Sequence, residues 1–163
     1  MIKLWLRKAN WEDLDLLYQW ANEPAVRRNA FHTEQIPYED HVKWYHTMMT
    51  NPTTYQYLLC VENIPVGQIR LNVEDSEALI SYSVAADQRG KGYGIVLLRL
   101  VQSQIQVDKI SSVTKLKGLV KYGNTASMRA FEHCGYSRTE QPEYIQYTKQ
   151  CTCEPFAVCE DNL

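Results

Sequence analysis

The chain has 163 residues, 17 basic against 19 acidic, a net charge of −2 with neutral histidines, and 45% hydrophobic content. That length suits one domain with a sizeable core. The balanced charge offers no basic face for a nucleic acid, and no apolar run approaches the roughly 18 residues that a membrane-spanning helix needs.

Residues 2–7 alternate as a strand does and lack a signal-peptide core, so a cytoplasmic protein is expected. Asn10 then caps a helix, with Glu12 and Asp13 in its first turn and Trp11, Leu14, Leu17 and Ala21 at helical spacing. Residues 22–37 are polar, punctuated by Pro24 and Pro37, and read as irregular. A second helix is expected over 38–49, followed by a turn at Asn51-Pro52. Two strands, 55–61 and 65–73, form a hairpin through Glu62-Asn63-Ile64. A turn over 74–77 leads into a strand over 79–84, which feeds a glycine-rich stretch. The next helix extends to about Val107, with Leu97, Leu98, Val101 and Ile105 on one face. A strand is expected at 115–121, then a short helix opened by Asn124 and closed by Gly135, then a hairpin of 136–138 and 144–148. The folded domain is expected over 1–148, with 149–163 as a cysteine-containing tail. Cys60 and Cys134 sit in apolar segments and read as buried thiols. Cys151, Cys153 and Cys159 lack a fourth ligand at a favourable spacing, so no metal is expected.

The organising stretch is Arg89-Gly90-Lys91-Gly92-Tyr93-Gly94, between an apolar strand and a helix. Glycines there admit positive φ and close backbone approach. The first N–H groups of the helix have no intrahelical partner, and the helix dipole favours negative charge at that end. Arg89 and Lys91 add positive charge, so the stretch suits a phosphate. The spacing fits neither the P-loop nor the dinucleotide fingerprint.

Arg-x-x-Gly-x-Gly, read from Arg89 through Gly92 to Gly94, resembles the pyrophosphate-binding motif of the GNAT acetyltransferase superfamily. Asn124-Thr125-Ala126-Ser127, running on to Cys134-Gly135-Tyr136, resembles that superfamily's second motif. The resemblance covers most of the chain and implies an α+β fold. Its sheet would be mixed and largely antiparallel, with helices on both faces and a V-shaped splay between two central parallel strands. It implies acetyl-CoA as co-substrate, without a metal, and direct transfer to a primary amine. The implied cofactor residues are Val84, Ala85, Arg89, Gly90, Lys91, Gly92, Tyr93, Gly94, Asn124, Ser127 and Arg129. A backbone N–H at Val84 or Ala85 would polarise the thioester carbonyl.

Many members carry a tyrosine acid seven residues after the asparagine; here that position is Phe131. Ser127, Tyr122, Tyr136 or water would have to replace it as proton donor to the thiolate. Glu77 and His41 are the base candidates, although Glu77 reads equally as a solvated turn residue and His41 as a structural one.

The acceptor side should be built by the first two helices and the segment between them. There, Arg28, Asn29, His41 and Trp44 place basic groups beside aromatics, which suits an anionic ligand with a flat ring. Arg-x-Asn, His-x-x-Trp, Gly67-Gln68-Ile69-Arg70 and Ile80-Ser81-Tyr82-Ser83-Val84 resemble the amino-sugar nucleotide N-acetyltransferases of pseudaminic-acid and surface-polysaccharide pathways. This implies a nucleotide-linked amino sugar as partner, acetylated at a 4-amino group. The alternatives are N-terminal acetylation of ribosomal proteins and a non-catalytic acyl-CoA-binding module. A monomer or homodimer is expected.

Overall fold

The computed structural model describes residues 1–151; residues 152–163, with Cys153 and Cys159, lie outside the described residues. Seven strands form one sheet: β1 (Leu4–Lys8), β2 (Thr54–Val61), β3 (Ile64–Glu74), β4 (Glu77–Val84), β5 (Lys115–Lys121), β6 (Ser137–Glu140) and β7 (Tyr144–Gln150). Their spatial order is β1-β2-β3-β4-β5-β7-β6. Every neighbouring pair is antiparallel except β4 and β5, which run parallel. The expected mixed, largely antiparallel sheet is therefore present.

Helices cover both faces. On one, α4 (Tyr93–Val107) and α5 (Thr125–His133) pack on an apolar layer. Leu97, Leu98, Val101 and Ile105, the stripe expected from the spacing, are buried against Ile69, Leu71, Ile80 and Leu116. On the other, α1 (Leu14–Ala21) and α3 (Tyr38–Thr50) cover β1 and β2 through a smaller cluster of Leu17, Tyr45, Met48, Leu58 and Cys60. Polar links supplement that cluster. Asp13 takes two 2.8 Å hydrogen bonds from Arg7 and a third from Asn10 N–H, and the Tyr45 hydroxyl donates to Asn10 O at 2.6 Å.

Two local expectations change. The segment 22–37 is not wholly irregular: Pro24–Asn29 forms a short helix, α2. Glu23, in extended conformation, accepts from Val26 N–H, and Pro24 sits in the first helical turn with φ already set. Glu77 is not a turn residue either. The β3–β4 turn consists of Asp75 and Ser76, with Asp75 at φ 53°, and Glu77 pairs with Glu74 as the first residue of β4. At the other end of the chain, β7 runs on to Gln150, and Cys151 N–H bonds Thr114 O at 2.8 Å, past the expected boundary at 148. Cys60 and Cys134 are buried. No described helix is long and apolar enough to cross a membrane, and no described group of three or more His, Cys, Asp or Glu could hold a metal ion.

Candidate active site

β4 and β5 stay together for only four residue pairs. The ladder runs from Glu77–Lys115 to Ile80–Gly118 and stops, while β4 continues to Val84 and β5 to Lys121. Past Ile80 each strand keeps only its outer partner, β3 or β7, so the two diverge. This is the V-shaped splay. In an antiparallel ladder the residues alternate between bonding the partner and facing away. Ala85 N–H donates to Val66 O at 2.9 Å, so by alternation Tyr82 and Val84 turn their N–H and C=O groups into the gap. Ala85 N–H is therefore spent on the sheet, which leaves Val84 and Tyr82, not Ala85, as donors toward a thioester carbonyl.

The glycine stretch closes the wide end of the splay. Gly90 and Gly92 adopt φ 80° and 82°, and a Cβ on either would meet nothing within 4 Å, so both face open space. Gly92 is the N-cap of α4 and no side chain caps that helix. The N–H groups of its first turn are left for a ligand. A free strand edge leading to an uncapped helix end fits an extended amide chain ending in a diphosphate, as in acetyl-CoA.

The cations at this end are engaged. Arg89 Nη2 lies 2.5 Å from Glu23 Oε2, the carboxylate that caps α2. That contact, ahead of the others, holds the Glu23 carboxyl below its ordinary range. Lys91 Nζ donates to Gln88 at 3.0 Å. Tyr93 opens α4, and Gly94 packs where a Cβ would lie 3.4 Å from the Tyr82 ring.

On α5, Asn124 accepts from Ser127 N–H at 3.3 Å and acts as the cap; Arg129 is exposed. Phe131 is 2% exposed and lies on Gly118, whose added Cβ would stand 2.2 Å from Phe131 Cζ. It stacks on Tyr147 at 5.1 Å and meets Tyr82 and Tyr136 edge-on. A hydroxyl on that ring would run into the β5 backbone. The nearest hydroxyl pair is Ser127 and Tyr82, with Ser127 Oγ donating to the Tyr82 hydroxyl at 2.8 Å. Burial pushes the Tyr82 phenol up to about 12, so it stays protonated at neutral pH. Sequence reading missed Tyr82. The visible signal was its place on the strand feeding the glycine stretch, two residues before Val84. Of the other hydroxyl candidates, Tyr122 donates to Gln141 O at 2.7 Å, and Tyr136 is buried, its hydroxyl without a hydrogen-bond partner among the described residues.

On the opposite face of the sheet, α2 and residues 30–36 stand beside the splay. Lys121, at the end of β5, donates to Arg28 O and Ala30 O at 3.1 and 3.0 Å, satisfying carbonyls at the end of α2. Arg27 bonds the carbonyls of Ala21, His32 and Glu34, and Asn22 bonds the Ile36 backbone twice. Arg28 and Asn29 are exposed, as is Trp44 at 38%. His41 is 3% exposed, with Nε2 donating to Leu14 O at 2.9 Å. Burial holds it below its ordinary 6.5. It supports the α1–α3 packing and does not face the cleft.

Glu77 lines a cleft of ≈ 430 Å³ together with Asn72, Leu79, Lys117 and Leu119. Its carboxylate lies 3.2 Å from Lys117 and 3.6 Å from Lys115. It sits four residues before Ser81, the first residue past the ladder, or roughly 13 Å along the strand.

Comparison with known proteins agrees with this geometry. Residues 3–137 match the acetyltransferase (GNAT) domain family. No curated protein sequence matches. Among solved structures, spermidine N-acetyltransferase from Vibrio cholerae, in complex with CoA and spermine, superposes with a TM-score of 0.78 at 14% identity, over 91% of this chain and 95% of that one. Aminoglycoside acetyltransferase AAC(6')-Ib, with ribostamycin and coenzyme A, gives 0.78 at 21% identity over 91% and 93%. The ribosomal L7/L12 alpha-N-protein acetyltransferase RimL, with coenzyme A, gives 0.79 at 15% identity over 94% and 100%. These three show a shared fold. The family match spans most of the described chain, and the splayed strands and uncapped glycine turn fall within it: this chain belongs to the GNAT acetyltransferase family, whose members are acetyl-CoA-dependent N-acetyltransferases.

Proposed function

We propose that the acceptor is an anionic primary amine, a nucleotide-linked amino sugar acetylated at its 4-amino group. The observation that carries this reading is the make-up of the acceptor-side rim. Arg28 is exposed there, Phe31 meets Tyr144 edge-on at 5.8 Å, and Trp44 is exposed. Cations beside flat rings suit a phosphate next to a base or sugar. A polycationic acceptor would want free carboxylates; Glu23 is bound to Arg89 and Glu77 to two lysines, which among the described residues leaves Glu74 as the cleft's carboxylate without an ion pair.

Acetyl-CoA, when bound, supplies an activated acyl carbon. The chain supplies the rest. The Tyr82 and Val84 edge holds the extended amide arm and offers an N–H to the developing oxyanion. Gly90, Lys91, Gly92, Tyr93 and Gly94 hold the diphosphate on their N–H groups, and Arg89 serves it after exchanging Glu23 for phosphate. The Ser127 O–H, given to the Tyr82 hydroxyl in the resting chain, turns to the sulfur as the carbon–sulfur bond breaks, and the proton that the thiolate keeps is replaced on Oγ from water. Glu77, the base candidate, stands at the paired end of β4 and beyond a one-water relay, so the proton of the attacking amine leaves along a chain of waters toward it.

Thiol release from acetyl-CoA tests this reading, with UDP-linked 4-amino-4,6-dideoxy sugars, ribosomal N-terminal peptides, spermidine and an aminoglycoside compared side by side. Turnover with the nucleotide sugar alone is expected. Turnover with peptides alone would transfer the assignment to protein N-terminal acetylation, and turnover with the polycations alone would remove the anionic-acceptor reading. Arg28→Ala and Trp44→Ala should each weaken acceptor binding, by about 1–3 kcal/mol where a charged hydrogen bond is lost, and spare acetyl-CoA binding.

A further inference from the structure

Three arginines are half-buried, and two of them have acceptors: Arg7 bonds Asp13 and Arg27 bonds three carbonyls. Arg70 is the exception. It is half-buried in the middle of β3, and its guanidinium carbon lies 4.9 Å above the Trp44 ring. Among the described residues, no carboxylate, carbonyl or hydroxyl accepts from it. Burial lowers its pKa, with no charged partner to raise it. A guanidinium has five N–H donors in a planar fork. Leaving them unmet in a partly desolvated place is costly, and stacking on one indole does not replace the lost hydrogen bonds.

Its position gives the unmet donors a use. Arg70 stands opposite Ser81 in the β3–β4 register, and Ser81 is the first residue after β4 parts from β5. Strands in a sheet lie about 4.8 Å apart, so Arg70 is one strand away from the start of the splay. Its side chain is on the α1–α3 face, in a polar row with Gln68 and Gln56. In that row Gln56 donates to Gln68 at 2.8 Å and Gln68 donates to Ser83 at 3.1 Å. Those three residues satisfy one another, and Arg70 alone keeps its donors.

We propose that Arg70, held over Trp44, binds an anionic oxygen group of the acceptor, phosphoryl or carboxylate, beside the reacting amine. This rests on reading the α1–α3 face as the acceptor side. It adds that the acceptor carries its negative charge close to its amine, and it makes Trp44 the support that aims the guanidinium. The fork takes two oxygens of one phosphoryl or carboxylate group.

The test titrates the full chain, saturated with CoA so that the glycine turn is filled, against UDP, inorganic phosphate and acetate in separate experiments. Tryptophan fluorescence reports binding, and Trp44→Phe identifies the signal. Saturable quenching that Trp44→Phe abolishes is expected with at least one anion. Arg70→Gln should weaken that anion by about tenfold or more, and Arg70→Lys, which keeps charge but not the fork, by less. CoA affinity should be unchanged in both variants, which shows that they are folded. Preference for UDP and phosphate identifies the group as phosphoryl; preference for acetate identifies a carboxylate. Equal affinity in wild type and Arg70→Gln, or no saturable binding of any anion, overturns the subsite. The two proposals fail separately. Anion binding through Arg70 without turnover of nucleotide sugars keeps the subsite and removes the sugar. Turnover of the sugar with an unchanged acceptor KM in Arg70→Gln keeps the sugar and removes the subsite.

Discussion

The two faces of the sheet are built by different physics. The α4–α5 face is a continuous apolar layer from Leu6 to Tyr147, with aromatic rings wedged over a glycine. The α1–α3 face has a small apolar cluster beside β1 and β2, held by Arg7–Asp13, Tyr45–Asn10 and His41–Leu14. Beside it a cleft over β3, β4 and β5 is lined by Asn72, Glu74, Glu77 and Lys117 together with Leu79 and Leu119. In the proposed function the packed face fixes the strand edge and helix end that receive the acetyl donor, and the other face leaves room for the acceptor. A close-packed layer tolerates little change in volume, whereas a surface joined by individual hydrogen bonds can be altered piece by piece.

The sharpest way to break the contrast is at Gly118. Gly118→Ala forces Phe131 off β5 and should cost about 3 kcal/mol, at the upper end for overpacking, measured by urea unfolding. An Ala variant as stable as wild type would mean that Phe131 is not wedged. Next comes the donor turn. Gly92→Val puts a branched residue at φ 82° and blocks approach to the α4 end, so the acetyl-CoA KM should rise by about tenfold or more with little change for the acceptor. Equal losses for both substrates would contradict the assignment. Third, Ser127→Ala should lower kcat about tenfold at unchanged acetyl-CoA KM, with Tyr82→Phe producing a smaller loss in the same direction. An unchanged kcat in Ser127→Ala would hand the proton to water.

The smallest effect is the response to acid, which should separate the faces. Burial keeps folded His41 neutral below its ordinary 6.5, so the unfolded chain binds the extra proton first and stability falls as pH drops below that value. Burial pushes Asp13 up, but the bonds from Arg7 and Asn10 outweigh it and hold the carboxyl below 3.8. Its contribution is present above 3.8 and is lost as pH falls through the folded value. Protection factors, referred to the intrinsic exchange rate at each pH, should therefore fall in α1 and α3 before α4 as pH is lowered, and His41→Gln should flatten the first part of that response. Simultaneous loosening of both faces would erase the distinction.

Local pattern carried much of this fold. Periodicity and caps placed the strands and the longer helices, and the glycine turn was legible because closely spaced glycines between an apolar strand and an apolar helix admit positive φ. α2 was not, because six residues bearing two arginines have no apolar period; its signal was Glu23-Pro24, a cap followed by a first-turn proline. Glu77 was misread because two-residue turns leave no composition shift. His41 and Trp44, three residues apart on one helix, looked like one site, yet His41 is buried against Leu14 while Trp44 is exposed beneath Arg70.

Neighbours within a few positions dictate the order of the strands and longer helices, the apolar stripe of α4, the glycine turn and the caps Asn10 and Asn124, so these were readable in the sequence. Tertiary structure alone decided the rest. Gly118 lies thirteen positions before Phe131, Ser127 lies forty-five after Tyr82, and Arg70 lies twenty-six after Trp44. None of these partners is visible along the chain, because what joins them is the crossing of separate strands and helices, and the value of each side chain depends on what that crossing leaves beside it.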